Sequence, residues 1–425
     1  MDDLRIPLLD LVSCFSGALD MVSPSVMNHH KRVAYLALRL AETVGLPRNE
    51  KVQIVLASLV HDIGLLSLHN KLDALHFEIN FDNYGLRQHG TLGESLLRKY
   101  MPLPKIAALV SAHHVYWQDR DSAVLKDDIL FGSQIIHLAD RIDVLIDKTQ
   151  EILSQVPRIV SQIEGQSGRM FSPELVAVFK HLAPREYLWL DLISAHTDSI
   201  IAQALKPDLI RLNRKRLLNV AKLFCQIIDF RSPFTATHSA GVAASAEALS
   251  RRMGFSNQEC FEMRIAGYLH DLGKLAIPVE ILEKPANLTK AEVNIIKSHP
   301  YHGYRTLEKV QGLETINRWG TLHHERLDGN GYPFHLRGPE LDMGSRIMAV
   351  ADIFTALMED RPYRAGMPEE QALRTLIAMS ESGAIDSEVV AVLRENLNEV
   401  DSIRDNAQQA AAEEYQKFRA VENAS

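Results

Sequence analysis

The sequence predicts an all-α protein made of two tandem helical domains that arose by internal duplication. Three observations carry this prediction. A His-Asp motif occurs twice, 209 residues apart, segments with helical capping signals surround it, and no series of segments sustains the apolar–polar alternation of strands. The length of 425 residues also fits more than one domain, because a single domain usually holds about 150 residues.

The repeat is defined by histidines and aspartates at almost constant spacing. His61-Asp62 recurs as His270-Asp271, and His29 recurs as His238, each 209 residues later. A fixed order with a slowly drifting offset indicates a duplicated unit, since two unrelated halves would not share it. The other pairs have offsets of 210 or 212 residues: His89 with His299, His113-His114 with His323-His324, and Asp140 with Asp352.

Local signals in the second half favour helices. Ser256-x-x-Glu259 and Thr289-x-x-Glu292 have the spacing of capping boxes, in which both side chains satisfy free amide groups at a helix start. Gly254 follows an amphipathic run and is a typical residue after a helix C-terminus.

The repeat also sets the expected domain limits. We expect one domain at residues 1–205 and a second at 206–400. Residues 401–425 are rich in Ala, Gln and Glu, so we expect a polar tail that is helical or frayed.

Composition excludes several classes of protein. The formal net charge is −8, so no broad positive field exists to hold a nucleic-acid polymer or an anionic membrane. No apolar run approaches the ~18 residues of a membrane span, and the N-terminus lacks the basic region of a secretory signal. Cys14, Cys225 and Cys260 lie far apart, which argues against a disulfide framework and a thiolate zinc site. We therefore expect a cytoplasmic protein.

The repeated histidines and aspartates fit a metal site. Burial of a carboxylate without a partner costs several kcal/mol, so a His-Asp pair on a buried helix needs either a hydrogen-bonded core or a cation. Imidazole and carboxylate together suit divalent first-row metals. Each half offers five histidines and two aspartates, enough for two ions that polarise a phosphoryl oxygen and share a bridging hydroxide.

The second half resembles the HD-GYP subfamily of HD phosphohydrolases, helical metalloenzymes that hydrolyse cyclic dinucleotides in second-messenger signalling. The resemblance extends from about Leu217 to Leu397. It rests on an ordered set of motifs: His270-Asp271-x-Gly273-Lys274, Lys297-Ser-His299-Pro300, His323-His324-Glu325, Gly331-Tyr332-Pro333, Ala351-Asp352 and Arg361-Pro-Tyr-Arg364.

The resemblance implies two divalent metal ions in the second half. The position at which some family members carry a glutamate ligand for a third ion is Phe234, which cannot bind a metal. The ligand set favours iron or manganese and leaves nickel and zinc open. One ion would take His238, His270, Asp271 and Asp352, and the other would take His299, His323 and His324, with Asp271 bridging both.

The resemblance also implies roles around the metals. Asp271 and Lys274 would be catalytic, with Lys274 on the scissile phosphate or the leaving oxygen. Arg361 and Arg364 would hold the substrate phosphates through charge-assisted hydrogen bonds. Tyr332 would line the substrate pocket or pack under its turn.

The first half keeps the ligand pattern and lacks the phosphate-binding groups. Leu65 stands at the position of Lys274, and no Gly-Tyr-Pro follows the histidine doublet. We expect a regulatory or structural domain that binds metal without hydrolysing cyclic dinucleotides; the alternative is a vestigial site hydrogen-bonded in a core. The possible ligands are His29, His61, Asp62, His89, His113, His114 and Asp140, and Thr149 and Ile152 stand at the two arginine positions.

The resemblance implies a phosphodiesterase that opens a cyclic dinucleotide by hydrolysing one 3′–5′ bond to the linear dinucleotide. Cyclic di-GMP and 3′3′-cGAMP both remain open as substrates. Two alternatives are another HD phosphohydrolase acting on nucleotides and a non-catalytic scaffold that binds cyclic dinucleotides. The oligomeric state stays open, with a homodimer among the options.

Overall fold

A computed structural model describes residues 6–21, 27–65, 86–101, 103–205, 211–229, 236–360 and 365–424. The chain forms two compact units, which divide after Asn213. Across the described ranges, no helix has the length and apolar character needed to cross a membrane.

The N-terminal unit is helical and carries a short antiparallel ribbon. Strand β1 (Ile6–Pro7) pairs with β2 (Arg211–Leu212), with Ile6 opposite Leu212. A 3₁₀ helix covers Trp117–Ser122. The α-helices are α1 (Leu8–Asp20), α2 (His29–Val44), α3 (Arg48–Ser58), α4 (Leu86–Tyr100), α5 (Pro104–Ala112), α6 (Asp127–Val144), α7 (Ile152–Glu164), α8 (Pro173–Leu182), α9 (Glu186–Ile193) and α10 (Thr197–Leu205).

The C-terminal unit repeats the helical plan. Short 3₁₀ helices cover Leu272–Ala276 and Gly338–Glu340. The α-helices are α11 (Arg214–Asp229), α12 (His238–Arg252), α13 (Asn257–Leu269), α14 (Val279–Leu282), α15 (Lys290–Ile296), α16 (His299–Leu307), α17 (Glu314–Thr321), α18 (Met343–Met358), α19 (Glu369–Glu381), α20 (Ser387–Glu395) and α21 (Leu397–Ala424).

The predicted all-α, tandem architecture is confirmed. In the N-terminal unit α2 packs against α3 and α6, and in the C-terminal unit the corresponding α12 packs against α13 and α18. Each unit has its own apolar core, which includes Tyr35 and Phe179 in the first and Phe224 and Phe354 in the second. Burial of such large side chains is the main term that stabilises a helical bundle.

The predicted helix ends are confirmed where the sequence signals them. Both capping boxes form, with Ser256 and Thr289 accepting hydrogen bonds from the backbone amides of Glu259 and Glu292. Gly254 has a φ of 82°, a conformation that glycine adopts without steric cost. The helix that Thr289 opens ends at Ile296, and a new helix starts at His299.

The last helix, α21, covers most of the expected tail. It packs against α12, and Arg404 and Gln408 are buried on it. The tail therefore contributes polar side chains to the interior of the C-terminal unit.

The glycine of each His-Asp motif makes a close contact with the backbone of the next histidine in the repeat. A Cβ atom on Gly273 would lie 1.8 Å from the carbonyl oxygen of His299, and one on Gly64 would lie 2.0 Å from that of His89. Only glycine permits this approach. The glycine of the motif thus lets the segment after it touch the helix that carries the next histidine.

Two candidate metal centres

The candidate ligands of the C-terminal unit lie at helix ends and meet in its interior. His238 begins α12 and His299 begins α16, whereas His270 follows α13. His323 follows the end of α17, and Asp352 lies within α18. Five separate elements therefore converge on one buried cluster, and all five of these residues are at most 8% exposed.

One group of ligand atoms consists of His238, His270 and Asp352, which lie within 4.8 Å of one another. His238 Nε2 lies 3.1 Å and His270 Nε2 3.9 Å from Asp352 Oδ1. Two imidazole nitrogens and one carboxylate oxygen are a ligand set typical of first-row divalent metals.

A second group consists of His299, His323 and His324. The Nε2 atoms of His299 and His323 are 3.4 Å apart. Asp271 lies between the groups, since its Oδ2 is 3.1 Å from His270 Nε2 and its Oδ1 is 3.2 Å from His299 Nε2. One carboxylate therefore faces both groups with different oxygens.

Backbone hydrogen bonds orient three of the imidazoles. The Nδ1 atoms of His270, His299 and His323 lie 2.7–2.8 Å from carbonyl oxygens three residues earlier in the chain. Because a carbonyl only accepts, each Nδ1 carries the proton and each Nε2 keeps its lone pair. Among the described residues, His270 Nε2 and Asp271 Oδ1 have no hydrogen-bond partner. Buried, unpartnered acceptor atoms in this arrangement fit a cation.

The electrostatics also fit metal ligands. Burial alone would raise the pKa of Asp271, but His270 and Lys274 hold it well below the usual range, so the carboxylate is ionised. Burial and the neighbouring His299 lower the pKa of His324 to about 3. Burial also lowers the pKa of His323 well below its ordinary value, with His324 adding to the effect. Asp271 is thus ionised and His323 and His324 are neutral, the protonation states that bind metals. Burial would lower the pKa of His270, but the charge of Asp271 raises it above its ordinary value.

The structure brings Lys274 and Tyr332 to this cluster. Lys274 Nζ lies 2.5 Å from Asp271 Oδ2, and its side chain is 20% exposed. The ring centre of Tyr332 lies 4.8 Å from that of His324. Arg361, Arg364 and Phe234 lie outside the described residues, so their expected roles stay predictions.

Glu325 organises the loop that carries Tyr332. Its buried carboxylate accepts hydrogen bonds from the backbone amides of Phe334, at 2.7 Å, and Leu336, at 3.0 Å. Tyr332 in turn donates its amide hydrogen to the carbonyl of His324 at 3.1 Å. The loop is therefore anchored to the histidine doublet through its backbone.

Sequence reasoning missed two residues behind His238. Glu359 Oε2 accepts a hydrogen bond from His238 Nδ1 at 2.9 Å, and the side-chain amide of Gln408 donates to Glu359 Oε1. Arg404 donates to the Gln408 carbonyl oxygen. Glu359 follows Asp352 by seven residues, two helical turns, and this spacing could have revealed it. Gln408 has no such signal, because the tail has no counterpart in the repeat.

The N-terminal unit gathers its predicted residues in the same way. His29 begins α2, His61 and Asp62 follow α3, and the histidine doublet follows α5. The ligand atoms include three groups whose members lie within 4.8 Å of one another. These groups are Asp62 with His89, His113 and His114; His29 with His61 and Asp140; and His30 with His61 and Asp62.

The surroundings of the N-terminal cluster differ from those of its counterpart. Leu65 is buried where the C-terminal unit has Lys274. Arg141 Nη2 lies 2.7 Å from Asp140 Oδ2, and the corresponding residue 212 positions later is Ile353. A guanidinium therefore neutralises one carboxylate of the N-terminal cluster.

Comparisons with known proteins agree with this internal repeat. A family model described as an HD domain matches residues 222–389, and a second HD domain model matches residues 26–145. The 3′3′-cGAMP-specific phosphodiesterase 1 of Vibrio cholerae is 31% identical over 394 residues, 90% of each chain. The cyclic di-GMP phosphodiesterase response regulator RpfG of Xanthomonas campestris is 39% identical over 36% of this chain and 40% of its own.

A solved structure resembles almost the whole chain. The crystal structure of a cyclic GMP-AMP specific phosphodiesterase of V. cholerae (V-cGAP3) superposes with a TM-score of 0.66 at 25% identity. The match covers 93% of this chain and 98% of that chain.

Proposed function

Because this chain belongs to the HD-GYP family of HD-domain phosphodiesterases, we propose that it hydrolyses a 3′–5′ phosphodiester of a cyclic dinucleotide in its C-terminal unit. The observation that carries the proposal is the position of Asp271, whose two oxygens face two separate histidine groups. A carboxylate in this position is suited to two ions at once.

The ligand assignment follows the two groups. His238, His270 and Asp352 would hold one ion, His299, His323 and His324 would hold the other, and Asp271, which faces both groups, would serve both. When bound, divalent ions of this kind polarise a phosphoryl oxygen and activate water. Imidazole-rich sites with carboxylates favour iron or manganese, and nickel or zinc are the competing occupants.

Protein groups around the cluster hold the substrate. Lys274 supplies a positive charge beside Asp271 for the scissile phosphate or the departing oxygen. Tyr332, beside His324, forms one wall of the pocket. We assign phosphate binding to Arg361 and Arg364 on the resemblance of their motif alone.

We propose 3′3′-cGAMP as the preferred substrate. The relative that matches 90% of this chain is named as specific for 3′3′-cGAMP, whereas RpfG, named for cyclic di-GMP, matches 36%. A second V. cholerae relative, 3′3′-cGAMP-specific phosphodiesterase 3, is 31% identical over 72% of this chain and 66% of its own. Similarity that includes both units thus favours 3′3′-cGAMP.

We assign no hydrolysis to the N-terminal unit, because Leu65 replaces the lysine. The sequence-based limits 1–205, 206–400 and 401–425 remain our proposal for the repeat units and the tail. A cytoplasmic location is supported by three buried cysteines that form no disulfide within the described part of the chain. The net charge of −8 supports neither a nucleic-acid polymer nor an anionic membrane as a partner. The oligomeric state stays open, and a homodimer is one of the options.

Chromatographic product analysis tests the proposal. The full chain, loaded with Mn²⁺ or Fe²⁺, receives 3′3′-cGAMP and cyclic di-GMP separately, with Asp271→Asn as the inactive control. We expect a linear dinucleotide from 3′3′-cGAMP at the higher kcat/KM and no product from the variant. Turnover of neither compound by a chain with two bound ions would overturn the proposal and favour another nucleotide substrate or a binding scaffold. Faster turnover of cyclic di-GMP would overturn only the substrate preference.

A further inference from the structure

The N-terminal unit contains a buried imidazole that its C-terminal counterpart lacks. His30 corresponds to Ser239, and Asp20 corresponds to Asp229, each at the offset of 209 residues. The Ser239 hydroxyl donates to Asp229 at 2.8 Å, and His30 Nδ1 lies 2.5 Å from Asp20 Oδ1. Corresponding aspartates therefore orient different side chains in the two units. Asp229 orients the short hydroxyl of Ser239, and Asp20 orients the longer ring of His30.

The far side of the His30 ring points into the N-terminal cluster. Because Nδ1 donates to a carboxylate, Nε2 carries the lone pair. His30 Nε2 is buried, lies 3.9 Å from Asp62 Oδ2 and has no hydrogen-bond partner among the described residues. With His61 and Asp62 it forms a set of ligand atoms within 4.8 Å of one another. His61 is oriented likewise, since its Nδ1 lies 2.8 Å from the carbonyl oxygen of Ser58.

The contacts of Asp62 suit a metal-binding carboxylate. Two other buried carboxylates of the cluster contact arginines: Asp143 contacts Arg32, and Asp140 contacts Arg141. Asp62 instead lies among imidazoles, with its oxygens within 4 Å of ring nitrogens of His29, His30, His61, His89 and His113. Carboxylate and imidazole together suit divalent first-row metals.

The surroundings of the cluster are those of a closed site. At the position of the partly exposed Lys274, the N-terminal unit has Leu65, which is 3% exposed. His114 is buried, whereas its counterpart His324 is partly exposed. At position 65 the N-terminal cluster therefore lacks the exposed cation that would meet a substrate phosphate.

We propose that the N-terminal unit binds a divalent first-row metal ion through His30, His61 and Asp62, and that this ion stabilises the unit without taking part in hydrolysis. His30 is the ligand that distinguishes this site from the C-terminal one. The proposal does not depend on the phosphodiesterase activity.

Metal analysis of full-length variants tests this assignment. His30→Asn places an amide nitrogen where Nδ1 donates to Asp20 but removes Nε2. His30→Ser installs the residue found at position 239. His196→Ser, at an exposed histidine of the same unit, is the matched control. Each variant is also made with Asp271→Asn in combination with His270→Asn and His299→Asn, so that each C-terminal group loses a histidine as well. This combination is called the Asp271→Asn chain below.

We expect the Asp271→Asn chain to retain an ion by mass spectrometry and to melt at a lower temperature after chelation. Adding His30→Asn or His30→Ser should remove that ion and the melting response, whereas adding His196→Ser should leave both. With Asp271 intact, the His30 variants should keep kcat/KM within about twofold of the parent chain. Wild-type metal content in His30→Asn would overturn the proposal, as would an Asp271→Asn chain that binds no metal. If the His30→Ser chain does not fold, His30→Asn decides.

Discussion

Gln408, on the last helix, should control the metal affinity of a cluster that it does not touch. It donates to Glu359, which accepts from His238, and His238 faces Asp352. The substitution Gln408→Leu keeps the approximate volume of the side chain and removes the amide donor. Helix α21 can approach α12 at this point because Gly241, on α12, has no side chain. A Cβ atom on Gly241 would lie 2.9 Å from Gln408 Nε2.

The size of the expected losses in stability and metal affinity follows from the burial of the hydrogen bonds that connect Gln408, Glu359 and His238. Gln408 is 8% and Glu359 9% exposed. A hydrogen bond to a charged group in such a setting contributes about 1.5–3 kcal/mol. A loss of about 2 kcal/mol lowers the melting temperature of a unit of this size by about 4–8 °C. Substitutions in the groups that orient metal ligands cost about 10–100-fold in metal affinity or activity, and we expect the lower end because Gln408 acts through Glu359.

Gln409 provides the matched control. It is exposed, and its amide bonds Asp405 on the same helix at 2.6 Å. Titration of the metal-free chain with Mn²⁺ should show weaker binding for Gln408→Leu and unchanged binding for Gln409→Leu. Hydrolysis at saturating Mn²⁺ should recover most of the lost activity, which a general loss of folding would not allow. Equal Mn²⁺ affinity in the two variants would refute the connection between Gln408 and His238.

Three further perturbations address the scaffold and the metals. Gly273→Ala should lower stability by about 3 kcal/mol or more and abolish hydrolysis, because the new methyl group overlaps the His299 carbonyl; urea unfolding and turnover measure both. Gly338→Ala is the control, since a Cβ there would lie no closer than 3.7 Å to Leu327. Glu325→Ala removes the acceptor of two loop amides, so we expect the free energy of unfolding to fall by about 2–4 kcal/mol and the KM to rise. Glu370→Ala, at an exposed glutamate, is the control and should change neither quantity. Chelation should stop hydrolysis, and Mn²⁺ or Fe²⁺ should restore it; steady turnover in excess chelator would contradict a metal-dependent reaction.

The sequence was informative wherever the two halves could be compared. The spacing of His61-Asp62 and His270-Asp271 predicted two helical units, and the structure brings the predicted ligands of each unit together. Comparison of repeats finds what they share, so it missed His30, whose counterpart is a serine. The approach of Gln408 to Glu359 depends on the packing of α21 against α12, which no local pattern in the tail encodes.

The glycine contacts at positions 64 and 273 bear on how a duplicated enzyme can diverge. In both units the main chain, rather than a side chain, brings the His-Asp motif against the helix of the next histidine. Side chains around such a frame can be exchanged while the frame persists, as Leu65 and Lys274 illustrate. Position 30 and its counterpart 239, a histidine and a serine, differ within the same frame. The same property makes either unit a scaffold on which ligand sets can be swapped between the two copies, position by position.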